Sequence, residues 1–322
     1  MVAAAYLVGL DLRQHWEAEG KWDYRTLAHL PTAHIAGVKG YFVSSFWQGG
    51  TVYWMSKFDF VQFLEFNRSL KITNILSVPP IYLLCTKSPL VEDHFRSLKS
   101  ALAGAAPLGK ELQIEVGKKL GVFLAQTWGL SETTGSVSGG EVNVEDLTGS
   151  VGPLLANVEL RHVHPFQNNR RGRERLLSRH TWGGSCERAN SYEGETLAFF
   201  KEDRLFIVDR KKELIKYKGL QVAPAELEAV LTSHQHILDA GVIGVFDEQQ
   251  STEVPRAYVV ADKSVISAKA IQDFVKSRLA SHKQLRGGVE FVAAIPKSLA
   301  GKILRKDLRA LAMATSPAKA KL

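Results

Sequence analysis

Cysteine is nearly missing from this 322-residue chain: the two present, Cys85 and Cys186, lie far apart in unrelated contexts. Neither a disulfide framework nor a CxxC metal site can be assembled from them. Long apolar runs are missing too, and no stretch reaches the ~20 residues a bilayer-spanning helix needs. The opening Met1 to Leu10 is apolar but has no basic leader and is ended by Asp11 and Arg13, so it reads as a buried helix rather than a secretion signal. Basic runs are equally scarce. The formal charge is +8, yet the longest cluster of cations is Arg170 to Arg175, and no basic pattern interleaved with aromatics supports a nucleic-acid partner. The surplus charge points towards phosphate-rich ligands instead.

What the chain does contain is ordinary globular composition, 45% hydrophobic and 23% charged, enough for two cores. Strand-like apolar runs alternate with amphipathic stretches, which predicts an α/β chain. Ile72 to Val78 reads as a strand stopped by Pro79-Pro80, Glu92 to Leu102 and Gly109 to Leu120 as helices, and Val122 to Trp128 as a strand. After Arg204 come a strand at 205–208, a helix opened by Pro224, strands at 237–246 and 257–261, a helix at 267–280, a strand at 288–295 and a helix at 303–313. These predict a larger piece, residues 1–208, then a hinge at 209–212 and a small α+β domain over 213–322. Only Pro165 to Thr196 fits no element: it holds six arginines and no sustained period of 2 or 3.6.

Four segments carry chemistry. Ala125 to Gly135, AQTWGLSETTG, leaves a strand for a turn rich in hydroxyls and glycine. Such a turn offers an aromatic face to a purine, hydroxyls and amides to a phosphate, and a carboxylate to a divalent cation. Taken alone it is equally a polar loop with one buried Trp. Gly104-Ala-Ala-Pro, some twenty residues earlier, brings backbone close enough to line a flat ring, or is simply a turn. In Asp209 to Glu228, five cations and a glycine lie between a strand and a proline-started helix; Pro296 to Arg305 holds a glycine-flanked lysine before a helix. A solvated face is the plain reading of either.

In this order the segments resemble the core motifs of the adenylate-forming superfamily, nearest to the 4-coumarate:CoA ligase branch of acyl-CoA ligases. Leu30-Pro-Thr-Ala-His similarly resembles that branch's Leu-Pro-x-x-His segment. The resemblance implies a partial large adenylate-forming domain followed by a small carboxy-terminal domain, using ATP, Mg²⁺ and CoA on a small-molecule carboxylic acid. It implies that His34 lines the acyl pocket, that Gly104, Ala105, Ala106 and Pro107 line the adenine, and that Gln126, Thr127, Trp128, Gly129, Leu130 and Ser131 surround the nucleotide. Glu132 would hold Mg²⁺. Arg210 would bind ribose or phosphate, Lys212 would be the hinge, Lys216 and Gln221 would lie near the adenylate, and Lys302 would neutralise charge at the α-phosphorus. Lys57, Lys218 and Gly219 would face CoA. A luciferase-like oxidase or a carrier-loading adenylation enzyme are the alternatives within the superfamily.

The resemblance also has gaps. The family's Ser/Thr/Gly-rich phosphate loop ending Pro-Lys-Gly does not occur in this sequence, and where a ribose-binding Thr-Gly-Asp is expected the chain reads Gly194-Glu-Thr. The expectation that follows is an amino-terminally truncated ligase, Met1 being an internal methionine, with Pro165 to Thr196 altered by a splice or frame difference and catalysis impaired. Ala320-Lys321-Leu322 fits the small-basic-Leu peroxisomal tripeptide, so a peroxisomal import receptor is the expected partner and the peroxisome the expected location, the cytoplasm being the alternative.

Overall fold

The computed structural model describes residues 23–141, 144–155, 158, 160–161, 176–177, 188–191 and 196–315. The apolar start, most of 165–196 and the terminal Ala320-Lys321-Leu322 lie outside the described residues. By internal contacts the chain divides into two compact units, residues 1–207 with 299–301, and 208–298 with 302–322. The architecture is α/β throughout.

The first unit is built on a six-stranded sheet in the order β2-β1-β3-β4-β5-β6. Its strands are β1 (Arg25–Ala28), β2 (Thr51–Trp54), β3 (Asn74–Ser77), β4 (Ser100–Ala103), β5 (Leu124–Leu130) and β6 (Gly135–Gly139). The first five pair in parallel, and β6 returns antiparallel on β5 with a bulge between Trp128 and Gly129. Parallel strands are covered on both faces, so they read as apolar runs rather than alternations. Here Leu27, Ile75, Ala101, Val116 and Leu124 share one core with Tyr41, Phe63 and Tyr82. Among the described residues β2 is one edge of this sheet, and Trp54 on it and Phe46 and Trp47 just before it are exposed.

Two expectations need correction here. Residues 92–102 are not a helix: turns with i→i+3 bonds, Arg96 N–H to Asp93 O and Leu98 N–H to Phe95 O, lead directly into β4. The small residues Ser100-Ala-Leu-Ala fit a strand sandwiched between β3 and β5, and that burial overrides the helical spacing of Phe95 and Leu98. The second concerns Pro79-Pro80, which does more than stop a strand: the pair opens the helix Pro79–Lys87, where the first turn needs no N–H donors. The helix expected at 109–120 is Lys110–Leu120, with Gly109 at its N-cap and Gly121 left-handed at its C-cap.

Short strands β7 (Leu160–Arg161) and β8 (Leu176–Leu177) pair with each other. Next, β9 (Arg188–Ser191), β10 (Thr196–Lys201) and β11 (Arg204–Arg210) form a three-stranded sheet. A small cluster of Val151, Leu154, Ala198 and Leu205 packs beside it, with Trp128 against the cluster.

In the second unit the hairpin β12 (Ile215–Tyr217) and β13 (Leu220–Val222) precedes the helix Pro224–Thr232. A sheet of β14 (Asp239–Asp247), β15 (Thr252–Val260) and β16 (Val289–Phe291) follows, flanked by helices Ala268–Lys276 and Arg305–Thr315. Ser267 caps the first of these through Ala270 N–H, and Ile271 and Val275 are its fully buried stripe. The carboxy-terminal helix packs Leu308 and Ala312 on Ile243, Tyr258 and Ile295.

Candidate active site

In open parallel sheets ligands bind outside the carboxyl ends of the strands, because loops there can diverge while the strands hold them rigidly. The candidate residues of the first unit follow those ends. His34 comes six residues after β1, Lys57 three after β2, Gly104 directly after β4, and Ser131 directly after β5.

His34 is half-buried and caps the one-turn helix Ile35–Gly37, its Nδ1 accepting from Ala36 N–H at 3.2 Å. This fixes the tautomer: Nδ1 is the acceptor, so the ring's proton sits on Nε2 when neutral. The nearby His29 is of another kind. It is buried between Leu27 O at 2.8 Å and Ser77 Oγ at 2.9 Å, with Phe63 edge-on at 4.8 Å, and burial pushes its imidazole down to about 4. His29 is a neutral core residue. The chain then runs into a π-helical segment, Val38–Ser44, whose Tyr41 hydroxyl accepts from His29 and Leu30 N–H. Single π-turns are rare and recur at functional sites.

Gly104 bonds through its N–H to Ser77 O, and a Cβ there would meet Thr127 Cγ2 at 3.0 Å. Ala105 takes φ +70°, a left-handed conformation that is strained for a residue with a Cβ. Ala106 is half-buried and Pro107 exposed. The Gly104–Pro107 turn and β5 are therefore adjacent.

Gln126 is buried and committed to structure: its Nε2 donates to Gln113 Oε1 at 2.9 Å. Any contact with a ligand would come from its backbone. Thr127 Oγ1 donates to Ser138 O at 2.7 Å, again tying β5 to β6. Half-buried Trp128 has one part of its ring on the Val151–Leu205 cluster. Gly129 has no room for a side chain, since a Cβ would stand 1.9 Å from Gly135 O. Thr133 organises the turn, its Oγ1 accepting from Leu130 N–H at 2.9 Å and lying 2.8 Å from Gly135 O. That leaves Leu130, Ser131 and Glu132 exposed on the turn. Among the described residues no cluster of three or more His, Cys, Asp or Glu is placed to hold a metal. A lone exposed carboxylate such as Glu132 suits Mg²⁺, which keeps waters and phosphate oxygens as most of its ligands.

The second unit carries the remaining candidates, most of them exposed. Arg210 ends β11 and follows buried Asp209, whose Oδ1 accepts Arg210 N–H at 2.7 Å and Oδ2 accepts Ala225 N–H at 2.9 Å. Asp209 thus ties a strand end to a helix start, and this structural role explains an acid in a run of cations. Lys212 lies in the 3-10 turn Lys211–Glu213. Lys216 and Gln221 are cross-strand partners, both exposed. Between them Lys218 and Gly219 take φ +47° and +81°, the two left-handed positions of a tight hairpin turn, with Lys218 N–H on Thr252 Oγ1 at 2.8 Å. Lys302 is half-buried in a loop closed by Ser298 N–H to Lys302 O at 2.8 Å and by the bridge Lys297–Ile303.

The motifs assign no role to Lys39 or to the buried pair formed by Glu228 and Arg305, which end two of the segments. Arg305 Nη2 meets both Glu228 oxygens at 2.8 Å, and Oε1 also accepts Val242 N–H at 2.9 Å. Burial nonetheless pushes this carboxyl up to about 7. Spacing gave no hint of the pair, since 77 residues separate its members.

Comparison with known proteins follows the same geography. A family profile described as AMP-binding enzyme matches residues 1–172, and one described as AMP-binding enzyme C-terminal domain matches 226–302. A provisionally named acyl-coenzyme A synthetase of Emericella nidulans is 41% identical over 340 residues, covering 100% of this chain and 61% of the relative. 4-Coumarate–CoA ligase 2 of Nicotiana tabacum is 38% identical over 320 residues, covering 90% of this chain and 58% of the relative. Among solved structures, ATP-bound MatB of Rhodopseudomonas palustris superposes with a TM-score of 0.75 at 22% identity, over 96% of this chain and 63% of that one. At that identity the likeness is one of fold. The chain therefore spans about three-fifths of the length of the proteins it matches, and it belongs to the AMP-binding enzyme family.

Proposed function

We propose that this chain serves ATP-dependent ligation of a carboxylic acid to CoA through an acyl-adenylate. The observation that carries the reading is the gathering of His34, Gly104–Pro107 and Trp128–Glu132 at the carboxyl ends of β1, β4 and β5. In the first half-reaction a carboxylate oxygen of the acid forms a bond to the α-phosphorus while the bond to pyrophosphate breaks. Trp128 and the Gly104–Pro107 turn would line the adenine, Ser131 would face the α-phosphate, His34 would orient the carboxylate, and Arg210, Lys216 and Gln221 would contact the nucleotide. Glu132 would hold Mg²⁺, which spreads phosphate charge when bound. Lys302 acts electrostatically: an ammonium beside the pentavalent phosphorus is worth most where charge develops. In the second half-reaction the CoA sulfur forms a bond to the acyl carbon and AMP leaves, with Lys57, Lys218 and Gly219 facing CoA after a turn at Lys212.

Similarity to CoA ligases supports the thioester as product over light-emitting oxidation or carrier loading. Mass spectrometry of a reaction holding the chain, ATP, Mg²⁺, CoA and a panel of aryl and alkyl acids tests this. Acyl-CoA and AMP should appear in equal amounts, with Lys218→Ala lowering the thioester and sparing the adenylate. An oxygen-dependent product without thioester would replace the reading. We propose peroxisomal import on Ala320-Lys321-Leu322 alone; a reporter ending in residues 316–322 should enter peroxisomes and lose that location when Leu322 is removed.

A further inference from the structure

Between Ile35 and Val43 the chain is apolar at every position except Gly37, Lys39, Gly40 and Tyr41, and Lys39 is the one charge. It lies on the π-helical segment Val38–Ser44, five residues after His34. A surface lysine lays its stem along apolar groups and sends the ammonium into water. Lys39 does not: it is half-buried, and its side chain crosses Gly135, where a Cβ would stand 2.8 Å from Lys39 Cδ and 3.7 Å from Nζ. Gly135 opens β6 directly after the Ser131–Thr134 turn. The ammonium thus stands beside the glycine that follows the candidate adenylate turn, on the segment that carries the candidate acyl-pocket histidine.

Among the described residues no carboxylate, carbonyl or aromatic ring partners this ammonium. His34 Nδ1 is engaged by Ala36, and Glu132 in the neighbouring turn is exposed and unpaired with it. Burial without a counter-charge pushes the Lys39 ammonium down to about 8, so at neutral pH it is still mostly charged. A partly desolvated charge held without a partner is costly, and an arriving anion recovers that cost.

We propose that Lys39 is a specificity-determining residue that pairs with a second carboxylate on the acid, so that the preferred substrates are dicarboxylic acids activated at the end away from Lys39. This rests on the acid-activating reading above. Were Lys39 instead to contact the reacting carboxylate, its loss would weaken all acids equally.

The test is calorimetric binding of diacids of four to ten carbons and of 4-carboxycinnamate, each against the monoacid of equal length, to the whole chain. At the best length the diacid should bind about 10- to 100-fold more tightly, the range for a charge-assisted pair out of water. In Lys39→Met, which keeps the stem against Gly135, the ratio should fall to near one with monoacid affinity unchanged; Lys39→Gln serves should that variant misfold. No preference for diacids at any length, no binding of either class, or a preference that survives Lys39→Met would overturn the proposal. ATP–pyrophosphate exchange on the same samples separates the two readings. Selective binding without exchange defeats acid activation and leaves Lys39 its role, whereas exchange without selectivity defeats the role of Lys39 alone.

Discussion

Removing Arg305 should cost far more than one surface ion pair. Arg305 and Glu228 are each 13% exposed, and the guanidinium meets both carboxylate oxygens at 2.8 Å while its Nε donates to Val242 O at 3.2 Å. In Arg305→Met at pH 9, well above the value of about 7 that burial already gives Glu228, the carboxylate is left buried with only Val242 N–H to answer it and must stay charged or take up a proton at a cost. Breaking a buried pair from one side costs about 3–5 kcal/mol, because the survivor keeps its desolvation penalty. Adding Glu228→Gln to Arg305→Met removes the stranded charge yet keeps an oxygen for Val242 N–H, so the double variant should recover most of the loss. Hydrogen–deuterium exchange over 239–247 and 305–315 reads this locally. Exchange in Arg305→Met should quicken by about 10²- to 10⁴-fold, the equivalent of that energy at 1.36 kcal/mol per decade. A single variant within threefold of the parent, or a double variant no better than the single, would refute the argument that the charge is stranded.

Three further outcomes are expected. Gly129→Ala places a methyl where Gly135 O stands, 1.9 Å away, so it should dislocate the Ser131–Glu132 turn and lower adenylate formation at least tenfold, while Gly121→Ala, in open space at φ +71°, should cost only about 1 kcal/mol of stability. His29 is held neutral, its folded value of about 4 lying below the ordinary 6.5, so its contribution is full above 6.5 and is lost as pH falls towards 4. Urea denaturation at pH 7 and pH 5 should differ by about 2 kcal/mol from this group, and the difference should shrink in His29→Gln; an unchanged slope would contradict a buried neutral imidazole. Thr133→Val should loosen the same turn by removing the acceptor of Leu130 N–H, raising the KM for ATP more than it lowers stability.

The sequence was most readable where a local signal and a packing demand agreed. Pro224 fell at a first helical turn as its chemistry requires, and the helix expected over 267–280 forms at Ala268–Lys276. It misled at 92–102, where apolar spacing suggested a helix and the parallel neighbours β3 and β5 imposed a strand, a choice made by residues far away in the chain. Motif order brought His34, Gly104 and Ser131 to one sheet edge, but it said nothing of which side chains were already committed. Gln126 is bound to Gln113, and Asp209, amid cations, ties a helix start. Lys39 was legible in principle as a charge in an apolar run, yet its half-buried state, with no partner among the described residues, is a property of packing against Gly135.

ATP–pyrophosphate exchange on the purified chain, across aryl and alkyl acids with and without a second carboxylate and with Lys302→Ala as control, tests the central claim most directly. The account predicts acid-dependent exchange that disappears in Lys302→Ala. Folded chain that exchanges nothing with any acid, or exchange unaffected by Lys302→Ala, would contradict an adenylation site built on these residues.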